Sequence, residues 1–351
     1  MALSPFDFLI QNLHPTASTL DRLEKLPLQT TQEWEEVIRL AKLWNASYEC
    51  AVNIQKKKWA AALPEKIKIQ FNHVIRESKL WNTICLDEIR RISKELSSKK
   101  LKGIFYNGPE FAYSYRPESL PFKMDHIHLI VQKEFWKEAL SVLGGIGFRN
   151  YEEKNPLLCD QIKLKHQKAG PILFLSSNLK MITIKDEKKI WNTVKRASFT
   201  NDFTDTIYEL HELDLLNYLF SNYSFSQGLN SLSAVNNFYF VILRVLSHHN
   251  NENFVREFNG IKNNYELWAA LHFLKNTWGL QSISEELLQK LKSRIGFFKA
   301  RKITNRRRVE QFLRASSTKQ EQLSSVREVI KKKTSQTLSR SFSARKDTVK
   351  N

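Results

Sequence analysis

The sequence predicts an α+β fold: a small mixed β-sheet core flanked by N- and C-terminal helical segments. Three observations carry that expectation. Apolar residues in the first hundred positions recur at helical spacing. Between residues 101 and 186 the texture changes to short apolar runs punctuated by Asn, Gly and Pro, which read as strands and turns. Helical patterns then return after residue 187. Apolar residues make up 42% of the 351, with 22 Phe, 10 Tyr and 8 Trp, which is enough to build a sizeable core and excludes wholesale disorder of the body.

The expected organisation is a helical region over 1–100, an α/β core over 101–186, a helical domain over 187–289 and a basic tail over 290–351. In the first region Thr30 and Glu33 have the spacing of a capping box. Trp34, Val37, Ile38 and Ala41 follow it at helical period. A second long helix is expected from Pro64, a residue suited to a first turn, with Ile67, Phe71, Val74, Trp81, Ile89, Ile92 and Leu96 on one side. Gly103–Tyr106 reads as a buried strand ended by the turn signal Asn107-Gly108-Pro109. His126–Val131 is the clearest strand, and Lys133–Val142 the helix after it, stopped by Gly144, Gly145 and Gly147. Ile162–Lys165, Pro171–Leu175 and Met181–Ile184 are read as three further strands. Leu213–Phe220, Leu232–Leu246 and Tyr265–Trp278 are read as helices, and Leu287–Ile303 as a last basic one.

The net charge of +19 first points to nucleic acid. Its distribution changes that reading. Residues 290–351 hold 19 Lys/Arg against 4 Asp/Glu, net +15, which leaves 36 against 32, net +4, for the body. The tail clusters Arg301, Lys302, Arg306–Arg308 and Lys331–Lys333 could contact phosphates of RNA, DNA or an anionic lipid surface; the plainer alternative is a solvated end. No apolar run approaches the roughly 20 residues of a membrane span. The three cysteines, Cys50, Cys85 and Cys159, have neither zinc nor disulfide-framework spacing, so a reducing cytoplasm is the expected location.

The order of elements in the middle of the chain resembles the poorly characterised nucleotidyltransferases of the DNA polymerase beta superfamily, over about Trp34–Leu280. Gly103-Ile-Phe-Tyr-Asn-Gly108 stands where that family has a strand ending in Lys-Gly. His126-Ile-His-Leu-Ile-Val131 stands at its Asp-x-Asp strand, and Glu138–Arg149 at the following helix with its Gly-Phe ending. Pro171–Leu179 stands at the strand of the third carboxylate, and Ile190-Trp191 and Arg196-Ala197 resemble the segment between the two domains. The resemblance implies a nucleotidyl transfer in which two Asp on one strand face hold Mg²⁺ ions that bind a triphosphate.

At those positions this sequence has His126, His128, Asn107 and Phe174. A neutral imidazole is a poor Mg²⁺ ligand, Asn lacks the lysine's cation and Phe binds no metal. Asp125 is one residue out of register and is expected to point away. Glu110 and Glu118 lie in the nearby loop with nothing in their spacing to promote them. The expectation is a degenerate nucleotidyltransferase-like protein acting as a binding or scaffolding module, with a nucleotide or a protein as partner. His126, His128 and Asn107 occupy the former catalytic positions, and Gly108 the ligand-binding turn.

Two alternatives stand beside that reading. One is an active enzyme with a remodelled metal site, using a divalent metal and a nucleoside triphosphate; there His126 and His128 would bind the metal, as imidazoles bind Zn²⁺, with His166 as the nearest third ligand. The other is a polyanion-binding protein that works through its tail. His248-His249 is read as a helix C-terminal cap.

Overall fold

The computed structural model describes residues 3–14, 20, 23–111, 122–152, 155–167, 170–177, 187–196, 206–222, 232–248, 254, 264–276 and 279–292. Glu118, the strand expected over Met181–Ile184, His249 and the tail from residue 293 onward lie outside these residues.

Four helices precede the sheet: α1 (Pro5–Asn12), α2 (Thr31–Leu43), α3 (Ser47–Gln55) and α4 (Glu65–Ser98). α1, which the sequence reading did not separate out, starts where the Ser4 hydroxyl accepts the Asp7 N–H at 3.1 Å and Pro5 takes the first helical position. α2 opens on the expected capping box: Thr30 accepts the Glu33 N–H at 3.2 Å and the Glu33 carboxylate accepts the Thr30 N–H at 2.9 Å. Its buried side carries Trp34, Val37, Leu40 and Ala41. Phe8, Trp34 and Trp59 meet there as an aromatic cluster, with ring centres 5.0 to 6.0 Å apart.

α4, with 34 residues, is about 51 Å long at the helical rise. Pro64 sits at its N-cap, one position ahead of the expected place. Ile67, Phe71 and Ile75 bury its first half, and Ile89, Ile92 and Leu96 its second half. Leu96 lies under the sheet: a Cβ added to Gly103 would come 2.9 Å from the Leu129 side-chain tip and 3.2 Å from that of Leu96, so any side chain there would have to displace both leucine methyl groups.

The seven strands are β1 (Gly103–Tyr106), β2 (Ile127–Val131), β3 (Phe148–Asn150), β4 (Gln161–His166), β5 (Ile172–Ser176), β6 (Lys195–Arg196) and β7 (Ile207–Glu209). They form one mixed sheet in the order β3-β4-β5-β2-β1-β7-β6. β2 runs parallel to β5 and β1 parallel to β7, and the other neighbours are antiparallel. The fold is α+β, as expected. β3, β6 and β7 are additions to the expected strands; at two or three residues they are too short to show alternation. Because β7 pairs with β1, the sheet runs past the boundary expected at residue 186. The apolar alternation of β2 starts one residue late, at Ile127, which leaves His126 just ahead of the strand.

Helix α5 (Trp136–Gly145) packs on the face that α4 covers, and α6 (Glu187–Thr193), α7 (Glu212–Asn222), α8 (Leu232–His248), α9 (Asn264–Asn276) and α10 (Glu285–Lys292) follow. α8 ties back to the N-terminal helices through Asn236, whose side chain donates to the Leu13 carbonyl at 3.2 Å. The His248 ring ends α8 3.3 Å from the buried Glu212 carboxylate, so its partner is a side chain on α7. No helix among the described residues is long and apolar enough to cross a membrane.

Candidate functional site

The strand registers build the site. Tyr106 on β1 is opposite His128 on β2, His128 is opposite Phe174 on β5, and Phe174 is opposite Lys163 on β4. Directly opposed residues share a sheet face, so the four side chains form one cross-strand row on the face away from α4. The His128 and Phe174 rings stack, 4.8 Å apart and 9° from parallel. Tyr106 lies 5.1 Å from His128, and His126 5.2 Å from Phe174. The Tyr218 ring, from α7, meets Tyr106 edge-on at 4.9 Å.

Burial sets the charge state of this row. It pushes the His128 imidazole down to about 3, with the neighbouring His126 adding to the effect, so His128 is neutral at physiological pH. Its Nδ1 is buried and has no hydrogen-bond partner. Burial also lowers His126, against the opposing pull of the Asp125 carboxylate. His126 looks into a groove of about 1000 Å³ between α2, α3, α4 and the segment leading into β2, shared with Tyr48, Trp81, Lys123 and Asp125. Asp125 accepts from the Asn45 side chain at 2.8 Å and lies 3.8 Å from Lys123.

The turn after β1 stands beside this row. Asn107 has φ 56°, the left-handed conformation that Asn tolerates better than most residues. Its N–H and the Gly108 N–H, the latter at 3.0 Å, both donate to the Glu110 carboxylate. This is the reach-back half of a capping box, with Pro109 opening the turn. A Cβ on Gly108 would sit 3.9 Å from the His126 carbonyl oxygen, so the turn abuts the start of β2, and its N–H serves Glu110. Glu110 is fully buried, and burial, aided by the Glu209 carboxylate, pushes it up to about 8 against backbone N–H bonds from Gly108, Glu110 itself and Asn107.

The expected positions Asn107, Gly108, His126, His128 and Phe174 are therefore neighbours. His166 stands apart. Next to Lys165 in β4, it points to the opposite face, where its Nε2 lies 3.0 Å from the Ile146 carbonyl oxygen. Mg²⁺ wants oxygen ligands, and β1, β2 and β5 contain no Asp or Glu. Two imidazoles on one tetrahedral zinc put their ring centres about 5 Å apart. Here they are 6.5 Å apart, and the Phe174 ring fills the space beside them. Among the described residues, no group of three or more His, Cys, Asp or Glu side chains could hold a metal ion. The residues present do not fit a divalent metal.

Three contributors were missed from the sequence. Tyr106 was read only as a core position. Glu110 could have been found from its place three residues after Asn107. Lys163 could have been found from the alternation Gln161, Lys163, Lys165, which sends all three to one face. The chain matches no protein-family model and no curated protein. Fold and site together define a mixed-sheet α+β protein with a row of rings where its two central strands meet.

Proposed function

We propose that this protein is a nucleotidyltransferase-like binding module that holds a nucleotide without transferring it. One observation supports this reading above the others: the face where the resembling family carries metal-binding carboxylates is filled by the His128–Phe174 stack. Metal-assisted phosphoryl chemistry depends on anionic ligands that place the ions. A neutral imidazole stacked on a phenyl ring supplies none. It does supply an apolar wall, and His126 beside it opens into the groove with Lys123 and Asp125. Those are the components of a small-molecule site: aromatic lining with a few placed polar groups.

The test uses the full chain with each of the four ribonucleoside triphosphates, with and without Mg²⁺ or Mn²⁺. Expected are binding by calorimetry without added metal, a loss of affinity in His126→Ala plus His128→Ala, and no label transferred from α-labelled nucleotide to the protein or to added acceptors. Metal-dependent transfer that the double substitution abolishes would replace this reading with an active enzyme. Absence of nucleotide binding would remove the nucleotide from it.

A further inference from the structure

The row of rings does not end at Phe174. Past Lys163 the register continues to the edge of the sheet, where the Tyr151 N–H bonds the Lys163 carbonyl at 2.9 Å. Tyr151 thus follows β3 on the same face as Lys163. One step along, Arg149 is opposite Lys165, and Lys165 is opposite Ile172. The face of β3, β4 and β5 therefore carries a row of ring, cation and ring, Tyr151, Lys163 and Phe174, beside a row of two cations and an isoleucine. The rings and ammoniums are already paired: Lys163 Nζ lies 5.6 Å from the Phe174 ring centre, and Lys165 Nζ 5.6 Å from that of Tyr151.

Tyr151 is 60% exposed, one of the few large apolar side chains so open. Phe174 is half-buried and Lys165 is exposed. The anionic counterpart is small. Glu152 lies 3.3 Å from Lys163 as a surface pair, and such pairs are worth little. The Arg149 guanidinium turns back to the Gly144 carbonyl at 2.5 Å and the Phe148 carbonyl at 3.0 Å, so Lys163 and Lys165 are the cations the face offers.

We propose that this face binds single-stranded nucleic acid, with bases stacked on Tyr151 and Phe174 and phosphates neutralised by Lys163 and Lys165. An unpaired strand brings what the pattern is built for: flat π-faces at intervals, joined by anions. Tyr151 and Phe174 stand two strand spacings apart, about 9 to 10 Å, and the lysines lie between and beside them. A base with its phosphate replaces both partners of a ring–ammonium contact at once. A duplex cannot, because its bases are stacked internally and only its backbone is presented. The proposal goes beyond nucleotide binding at His128, since Tyr151 and Lys165 take no part there.

The test is fluorescence anisotropy of labelled single-stranded U20 and of a duplex of equal length with the full chain, together with ultraviolet crosslinking and peptide mapping. Single strands are expected to bind more tightly than duplex, with crosslinks at Tyr151 or Phe174. Tyr151→Ala plus Lys165→Ala, both on exposed side chains, is expected to weaken U20 binding about tenfold or more while leaving mononucleotide binding unchanged. Crosslinks confined to residues 293–351 with unchanged affinity in the double variant would overturn the proposal in favour of the tail. Equal binding of duplex, or equal competition by polyglutamate, would overturn it in favour of a surface that recognises charge alone. Loss of mononucleotide binding with U20 binding intact would count against the site at His128 and leave this face standing.

Discussion

His128 carries a cost that a stability measurement can see. A buried polar atom with no partner loses its hydration and gains nothing in return. Replacing His128 by Leu removes that atom and keeps most of the volume. The variant is therefore expected to be as stable as the parent, or more stable by about 1 kcal/mol, in urea or guanidinium unfolding. The same change is expected to weaken nucleotide binding, because the ring stacked on Phe174 goes with it. A loss of stability well beyond 1 kcal/mol would mean that Nδ1 is satisfied in the native protein. Gly147 shows the opposite case. It has φ +94°, and a Cβ there would sit 2.7 Å from His166 Nε2. Gly147→Ala is expected to destabilise by about 1–3 kcal/mol, through both the strained backbone and the displaced ring.

At the scale of elements, signals were readable in proportion to their length. The capping box at Thr30 and Glu33 formed as its spacing required, and Thr30→Ala is expected to cost about 1 kcal/mol, seen as a lower denaturation midpoint with unchanged slope. α4, α8 and α9 were legible because long periodic stripes are hard to mistake. β2 and β5 were legible because buried central strands are almost continuously apolar. β3, β6 and β7 were not, since their pairing is decided by partners distant in sequence. The site divides in the same way. His126, His128, Asn107, Gly108 and Phe174 could be named in advance, because they lie on the two readable strands and the turn beside them. Tyr106 and Tyr151 could not, because their part depends on which strands become neighbours, and that is a property of the sheet order; Lys163 shows its face by alternation, but its neighbour Phe174 comes from the same sheet order.

For the whole molecule, two buried groups tilt stability with pH in opposite directions. Glu110 is raised from 4.5 to about 8 in the folded protein. Between those values the folded chain keeps a proton that the unfolded chain has released, so this contribution is full below 4.5 and is lost as pH rises to about 8. His128 is lowered from 6.5 to about 3, so its contribution is full above 6.5 and is lost as pH falls to about 3. From pH 6.5 to 8 only the Glu110 slope acts between these two groups. The melting temperature is therefore expected to fall over that window. Glu110→Gln, although less stable from losing one acceptor for the turn, should flatten the fall. A parental melting temperature that stays level across the same window would contradict the role given to Glu110.

The parallel pairing of β1 with β7 joins Gly103 to Ile207, neighbours in the sheet that lie far apart in the chain. A chain made from its N-terminus presents β1 and β2 to the cell well before the strand that completes their far side exists. Until residues 207–209 arrive, β1 is an open edge of Gly103-Ile-Phe-Tyr106, a short apolar strand of the kind that recruits other chains. Pauses in translation between these two points are expected to raise the aggregated fraction, and a slowed codon run placed after residue 209 should not.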